Sequence, residues 1–271
     1  MDLWISYPTI RIQRLNSAGG QAAQSDDNAE SLTIQAATAL FEAYPDRKAV
    51  KLFAYCRAAT GQLEMTQAPA YEIAVKTGIQ EAVPFVLGGQ MGGEPAMALL
   101  LLGSLLNEQR TRALLCCTHS LNTPLSGDEP LQSDAVAAAL LVSFQADLVP
   151  RLHVLGVSSS QVDLTGHQIL RDVDQALTAA ARQGRPGKQI TWGIMPSAMP
   201  SLLAESVRQL LPDTRWFVRE KDRASHYGCT DTLVSLGHLL RTELVKPGEH
   251  GILWFAGQYG ALGCAYVVVE S

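Results

Sequence analysis

The residues of this chain best suited to covalent or acid–base chemistry are five cysteines and six histidines. A cysteine becomes a nucleophile when a neighbouring base or a helix N-terminus favours its thiolate. Cys229 has a histidine three residues before it, in the run His226-Tyr227-Gly228-Cys229-Thr230-Asp231-Thr232. Residues three apart around a glycine turn seldom present both side chains to one pocket, so Cys229 reads more readily as a small buried filler than as half of a dyad. His226 likewise reads as a loop residue with a structural hydrogen bond. Cys116 and Cys117 are adjacent within an apolar run, where cysteine behaves as a small core residue. The other histidines (119, 153, 167, 238 and 250) show no partnered spacing, and the chain has no CxxC or HExxH pattern, so no metal site is legible. An odd number of cysteines without paired spacing fits a reducing cytoplasm better than a disulfide framework.

Hydrophobic periodicity gives the elements that would position these residues. In the first half, strands are expected at Leu3 to Tyr7, Ala49 to Cys56, Val83 to Leu87, Ala113 to Thr118 and Ala135 to Phe144. Helices are expected at Ala29 to Tyr44, at Ala68 to Thr77 (stopped by Gly78) and from Gly93 to Leu106. The second half repeats the pattern. Its strands are Arg151 to Val157, Gln189 to Ile194, Thr214 to Val218, Gly251 to Ala256 and Ala261 to Val269. Its helices are Thr165 to Arg182, Pro200 to Leu211 and Thr230 to Leu244. Helix–strand alternation implies parallel sheets covered by helices. Two such halves, residues 1–146 and 147–271, would pack back to back as one compact domain, with the third helix of each between the sheets. Ala96 to Leu102 is apolar all round, as a fully enclosed helix should be.

At 271 residues, 47% hydrophobic and 17% charged, the chain can bury a large core, and its low charge suits an obligate oligomer equally well. A net charge of -5 without a Lys/Arg cluster argues against a nucleic-acid partner. The N-terminus lacks the basic and apolar regions of a signal peptide, and no apolar run approaches a membrane span, so a cytoplasmic protein is expected.

Several short segments, in order, carry a resemblance. Thr77-Gly78-Ile79 precedes a strand and a Gly-rich turn into an apolar helix. Ser133-Asp134-Ala135-Val136-Ala137-Ala138-Ala139 is similar to a Gly-Asp-Gly-Ala-Gly-Ala-Ala run. Met195-Pro196-Ser197-Ala198-Met199 stands where a Pro-His-Gln-Ala-Asn segment would. Gly228 with Thr230 matches a Gly-Asn-Thr motif, followed by Lys246-Pro247-Gly248 and by Gly257-Gln258-Tyr259-Gly260. Together they resemble the β-ketoacyl-ACP synthase III family of thiolase-like condensing enzymes. The resemblance implies a five-layer αβαβα fold of two pseudo-repeats and a catalytic Cys, His and Asn. Those positions fall here on Gln90 (or Met91, if the alignment is pinned on Phe85), Ser197 and Cys229. Neither an amide nor a thioether accepts an acyl group, and a serine hydroxyl is a weaker oxyanion donor than the family's His. In the family about thirty residues separate the first strand from the first helix, and they include a Trp- and Arg-bearing stretch that grips coenzyme A. Here only Pro8 to Asn28 intervene between the first strand and first helix, with Ala18 to Asp27 reading as a loop and Thr9 to Arg14 a faint echo of Gly-Ile-Arg-Glu-Arg.

The resemblance therefore implies a non-catalytic subunit, inactive alone and without a cofactor. It would pair as a heterodimer or heterotetramer with an active, Cys-containing paralogue in fatty-acid- or polyketide-type metabolism, with an acyl carrier protein as a further partner. It looks like the small subunit of the alkylquinolone-forming condensing enzyme and is analogous to polyketide chain-length factors. Two alternatives stay open: a Gln-type malonyl-thioester decarboxylase or other acyl-thioester transferase using Gln90, Ser197 and Cys229, and a fatty-acyl binding protein. For association, the expected edge strand is Ala113 to Thr118.

Overall fold

The structure is a computed structural model that describes residues 3–13, 25–57, 68–88, 93–119, 135–149, 151–162, 169–183, 189–197, 199–219, 227–256 and 261–270. Its first half contains β1 (Leu3–Ser6), β2 (Thr9–Gln13), α1 (Ser25–Ala43), β3 (Val50–Arg57), α2 (Ala68–Thr77), β4 (Val83–Gly88), α3 (Glu94–Leu105), β5 (Arg112–His119) and β6 (Ala135–Ser143). The second contains β7 (Arg151–Gln161), α4 (Ile169–Gln183), β8 (Trp192–Met195), α5 (Ser201–Leu210), β9 (Arg215–Val218), α6 (Asp231–Arg241), β10 (His250–Ala256) and β11 (Ala261–Glu270). The strands form one eleven-stranded sheet in the order β4-β3-β5-β6-β1-β7-β11-β10-β8-β9, with β2 also on β6. Outward from the centre, the same arrangement recurs on both sides. The central strand β1 or β7 is followed by an antiparallel last strand (β6 or β11), and then by three parallel strands.

Strand β1 pairs antiparallel with both β6 and β7 and so joins the two arms into a single hydrogen-bonded sheet. Helix α3 touches β3, β4 and β5 on one arm and β7, β10 and β11 on the other. Helix α6 likewise lies between β8 and β10 on one side and β2 on the other. One core holds both helices together with side chains of both arms, and two outer cores lie under α1 and α2 and under α4 and α5. This is a five-layer αβαβα, thiolase-like fold. Strands β6 and β10 are buried along their whole length and read as continuous apolar runs, as strands covered on both faces must. Close packing of α3 on β11 depends on Gly263, where a Cβ would lie 2.3 Å from the Cβ of Ala96.

Four expectations need correction. Strand Ala113 to Thr118 is not an edge. It lies inside β5, parallel to β3 on one side and antiparallel to β6 on the other, so its backbone groups are already satisfied. The edges are β4 and β9. Second, α3 is not enclosed all round: Ala96, Ala98, Leu99 and Leu102 are buried, but Leu101 and Leu105, one turn apart, are 37% and 38% exposed. Third, Thr9 to Gln13 is a strand, laid antiparallel on β6, rather than a remnant of a ligand-gripping loop. Fourth, residues 25–27, expected in a loop, already belong to α1, while residues 18–24 lie outside the described residues.

Candidate functional site

The carboxyl ends of the parallel strands β3, β5, β8 and β10 point toward the N-termini of α3 and α6, the region where open α/β sheets place their sites. Ser197 follows β8 in a turn and is buried. Its backbone N–H donates to Oδ2 of Asp231, the first residue of α6. Oδ1 of the same carboxylate accepts from Arg219 Nε at 3.1 Å and Nη2 at 2.9 Å. The Asp231 side chain has no exposed surface, whereas that of Arg219 is 22% exposed. The guanidinium also lies 3.7 Å from the ring centroid of Tyr227, a cation–π contact. An ion pair thus ties the Ser197 turn to the start of α6.

Cys229 sits in a single turn of 3-10 helix (Gly228–Thr230) that leads into α6. The turn is tight. Gly228 takes φ +48, and a Cβ there would fall 2.5 Å from His119 Nδ1, so both conformation and space demand glycine. Thr230 closes the turn by donating to the Tyr227 carbonyl at 2.5 Å, and Thr232 donates to the Trp254 carbonyl at 2.5 Å. The Cys229 thiol is buried and donates to the Thr118 carbonyl at 3.4 Å, which pins the turn to the end of β5.

Beneath it, Cys56 and Cys117 face each other across β3 and β5. Burial pushes the Cys56 thiol up; a hydrogen bond with Cys117 opposes this, and the nearby Cys229 thiol and Glu94 carboxyl push it up further. Burial also raises Cys117 well above its ordinary value, and Cys56 and Glu94 act in the same direction. Glu94 is buried in the first turn of α3, where the helix dipole favours a carboxylate. The α3 N-terminus therefore faces its own acid, and an acid beside thiols disfavours thiolates. Cys116 is raised by burial and Cys264 is pushed to about 12. All five cysteines are free thiols.

Of the expected site residues, Ser197 and Cys229 come together through Asp231, two residues beyond Cys229. Gln90 and Met91 lie outside the described residues, as does His226. Sequence reading missed Glu94, His119, Arg219 and the role of Asp231. Glu94-Pro95 opening an otherwise apolar helix was a legible signal, since Pro favours the first helical turn and a lone acid there is dipole-stabilised. Nothing in the spacing pointed to His119, which is 109 residues from Gly228. Among the described residues, no group of three or more His, Cys, Asp or Glu is placed to hold a metal ion.

A cavity of about 480 Å³ adjoins this site, lined by residues of α6, β9 and β2. No helix among the described residues is long and apolar enough to cross a membrane.

No family profile matches the sequence, and no curated protein matches it. Solved structures match over nearly the whole chain. The acyltransferase ChlB3 is similar with a TM-score of 0.78 and 17% identity, covering 100% of this chain and 98% of that one. The 3-oxoacyl-(acyl carrier protein) synthase III of Pseudomonas aeruginosa PAO1 gives 0.72 and 13% over 100% and 98% of the two chains. The ishigamide ketosynthase/chain length factor gives 0.70 and 16% over 90% and 81%. These likenesses establish the thiolase-like fold.

Proposed function

We propose that this chain is a non-catalytic, synthase III-like subunit that pairs with an active, Cys-containing paralogue in a condensing enzyme of fatty-acid- or polyketide-type metabolism. The fold is that of condensing enzymes, and one observation carries the rest of the reading. At two positions of the expected triad, the backbone of one residue and the side chain of the other are engaged in the protein's own structure. The Ser197 turn is held by Asp231, and the Cys229 thiol spends its hydrogen on the Thr118 carbonyl. The thiols around it are pushed away from the nucleophilic form, with Glu94 placed where a thiolate would need a positive helix end. On this reading the chain is inactive alone and needs no cofactor. It acts in the cytoplasm as one compact unit of two halves, residues 1–146 and 147–271.

The surface supports association at a place other than the one expected from sequence. Among the described residues β4 pairs only with β3, and its Val83 is 60% exposed, with Phe85, Val86 and Leu87 half-buried. Helix α3, which contacts β4, also exposes Leu101 and Leu105. An edge strand flanked by apolar side chains is a template for pairing with another chain. The partner would extend the sheet from β4 and cover Leu101 and Leu105.

Intact-mass spectrometry of the purified chain after incubation with an acyl-CoA or a malonyl-carrier protein tests the catalytic half of this reading. The expected result is unmodified protein and unconsumed malonyl thioester. A stoichiometric acyl adduct lost in Cys229→Ala would overturn it, and decarboxylation of the malonyl group would favour a remodelled decarboxylase instead.

A further inference from the structure

The cavity beside α6 is walled by Ile12 of β2, Phe217 of β9, Tyr227, Val234, Leu239 and Leu244, with Arg219, His238 and Arg241 as its basic groups. Its volume, about 480 Å³, lies within the usual range for small-molecule sites. The walls have a definite origin. Ile10 and Ile12 lie on one side of β2, and Ile10 packs onto the Val136, Tyr227 and Val234 cluster while Ile12 is left 42% exposed. On the other side, Phe217 packs partly against the central core from edge strand β9. The cavity lies where α6 runs between these two strands.

Among the described residues that line it, the charged groups are basic. Arg219 is compensated by the buried Asp231, but Arg241, exposed on the last turn of α6, has no ion-pair partner among the described residues. His238 lies one turn before it, and among the described residues that line the cavity there is no carboxylate. An apolar body of moderate size needs these walls, and an anionic head needs these basic groups.

We propose that this cavity binds an amphipathic monocarboxylate, with its hydrocarbon body against Ile12, Phe217 and Leu239 and its carboxylate at Arg241. The site is separate from the positions of Ser197 and Cys229. It reaches them through Arg219, which both lines the cavity and holds the carboxylate that fixes the Ser197 turn. The proposal does not depend on the non-catalytic reading, since a ligand could occupy the cavity of an active or an inactive chain.

Titration calorimetry with three probes of equal chain length, decanoate, decanol and decyltrimethylammonium, tests it on the full chain. Decanoate should bind at one site, decanol about tenfold more weakly, in keeping with loss of one charged hydrogen bond, and the cation not measurably. Ile12→Trp, at a partly exposed strand position, should fill the cavity and abolish decanoate binding. Arg241→Gln, at an exposed position, should weaken it about tenfold and remove the preference over decanol. Both variants should keep the wild-type circular dichroism spectrum. Absence of decanoate binding, equal binding of the cation, or wild-type decanoate affinity in either folded variant would overturn the proposal.

Discussion

Replacing Arg219 by Met probes the link between the Ser197 turn and α6. Two charged hydrogen bonds, from Nε and Nη2, would be lost from Asp231 Oδ1. The carboxylate has no exposed surface, so it would stay in the interior with the Ser197 N–H as its remaining partner among these contacts. Removing one partner of a buried pair costs on the order of 3–5 kcal/mol, chiefly because the other charge is left uncompensated. The converse change should cost less. In Asp231→Asn the shape and an acceptor oxygen persist, and the released guanidinium is already partly exposed and stacked on Tyr227. The expected loss is about 1.5–3 kcal/mol, the scale of hydrogen bonds to a charged group. Replacing both residues by apolar ones (Arg219→Met with Asp231→Leu) should recover part of the loss, because no charge is then stranded. Urea unfolding of the wild type and the three variants at one pH, read by linear extrapolation with an unchanged m value, measures each difference. A loss below about 1 kcal/mol in Arg219→Met is what an exposed pair would give, and it would refute the argument.

The buried thiols make two further outcomes measurable. Native protein at pH 8 should react with a thiol reagent at Cys56, Cys116, Cys117 and Cys264 only as fast as it unfolds, because burial disfavours the thiolate at each. Their raised values also set the sign of the alkaline response. The unfolded chain loses thiol protons from about pH 8.5 upward while the native state keeps them, so stability is full below that pH and falls above it. The slope is about 1.4 kcal/mol per pH unit for each thiol, seen as a falling urea midpoint. Gly228→Ala should cost about 1–3 kcal/mol and lower the melting temperature, since it adds a Cβ 2.5 Å from His119 Nδ1 at positive φ. A neutral result would mean that the 3-10 turn is free to move.

Legibility in the sequence followed the range of the interactions. The order of helices and strands was readable because each is a local pattern. Leu52–Cys56 and Ala261–Val269 are apolar runs, and α3 carries Glu-Pro at its start. Strand β2 was missed because its five residues are half-exposed polar and apolar alternation next to Pro8, and they become a strand only by pairing with β6, more than a hundred residues away. The same distance misled the reading of β5. Its apolar run fits an edge or a centre equally well, and only the return of β6 along its free side decides between them. The candidate site divides the same way. Ser197 and Cys229 were singled out from motif resemblance, but their partners are remote: Asp231 lies 34 residues from Ser197, and Thr118 lies 111 from Cys229. Glu94 is the exception, a lone acid in an apolar helix that could have been singled out.

The most direct test of the central claim is a reconstitution titration. The proposed partner, an active Cys-containing synthase III-like paralogue, is purified alone, and its condensing rate on acyl and malonyl thioesters is followed as this chain is added. The predicted curve rises from little activity and saturates at one chain per paralogue, and Leu101→Asp, at an exposed position of α3, prevents the rise while remaining folded. A paralogue that is fully active alone and whose rate is unchanged by this chain at any ratio would contradict the account.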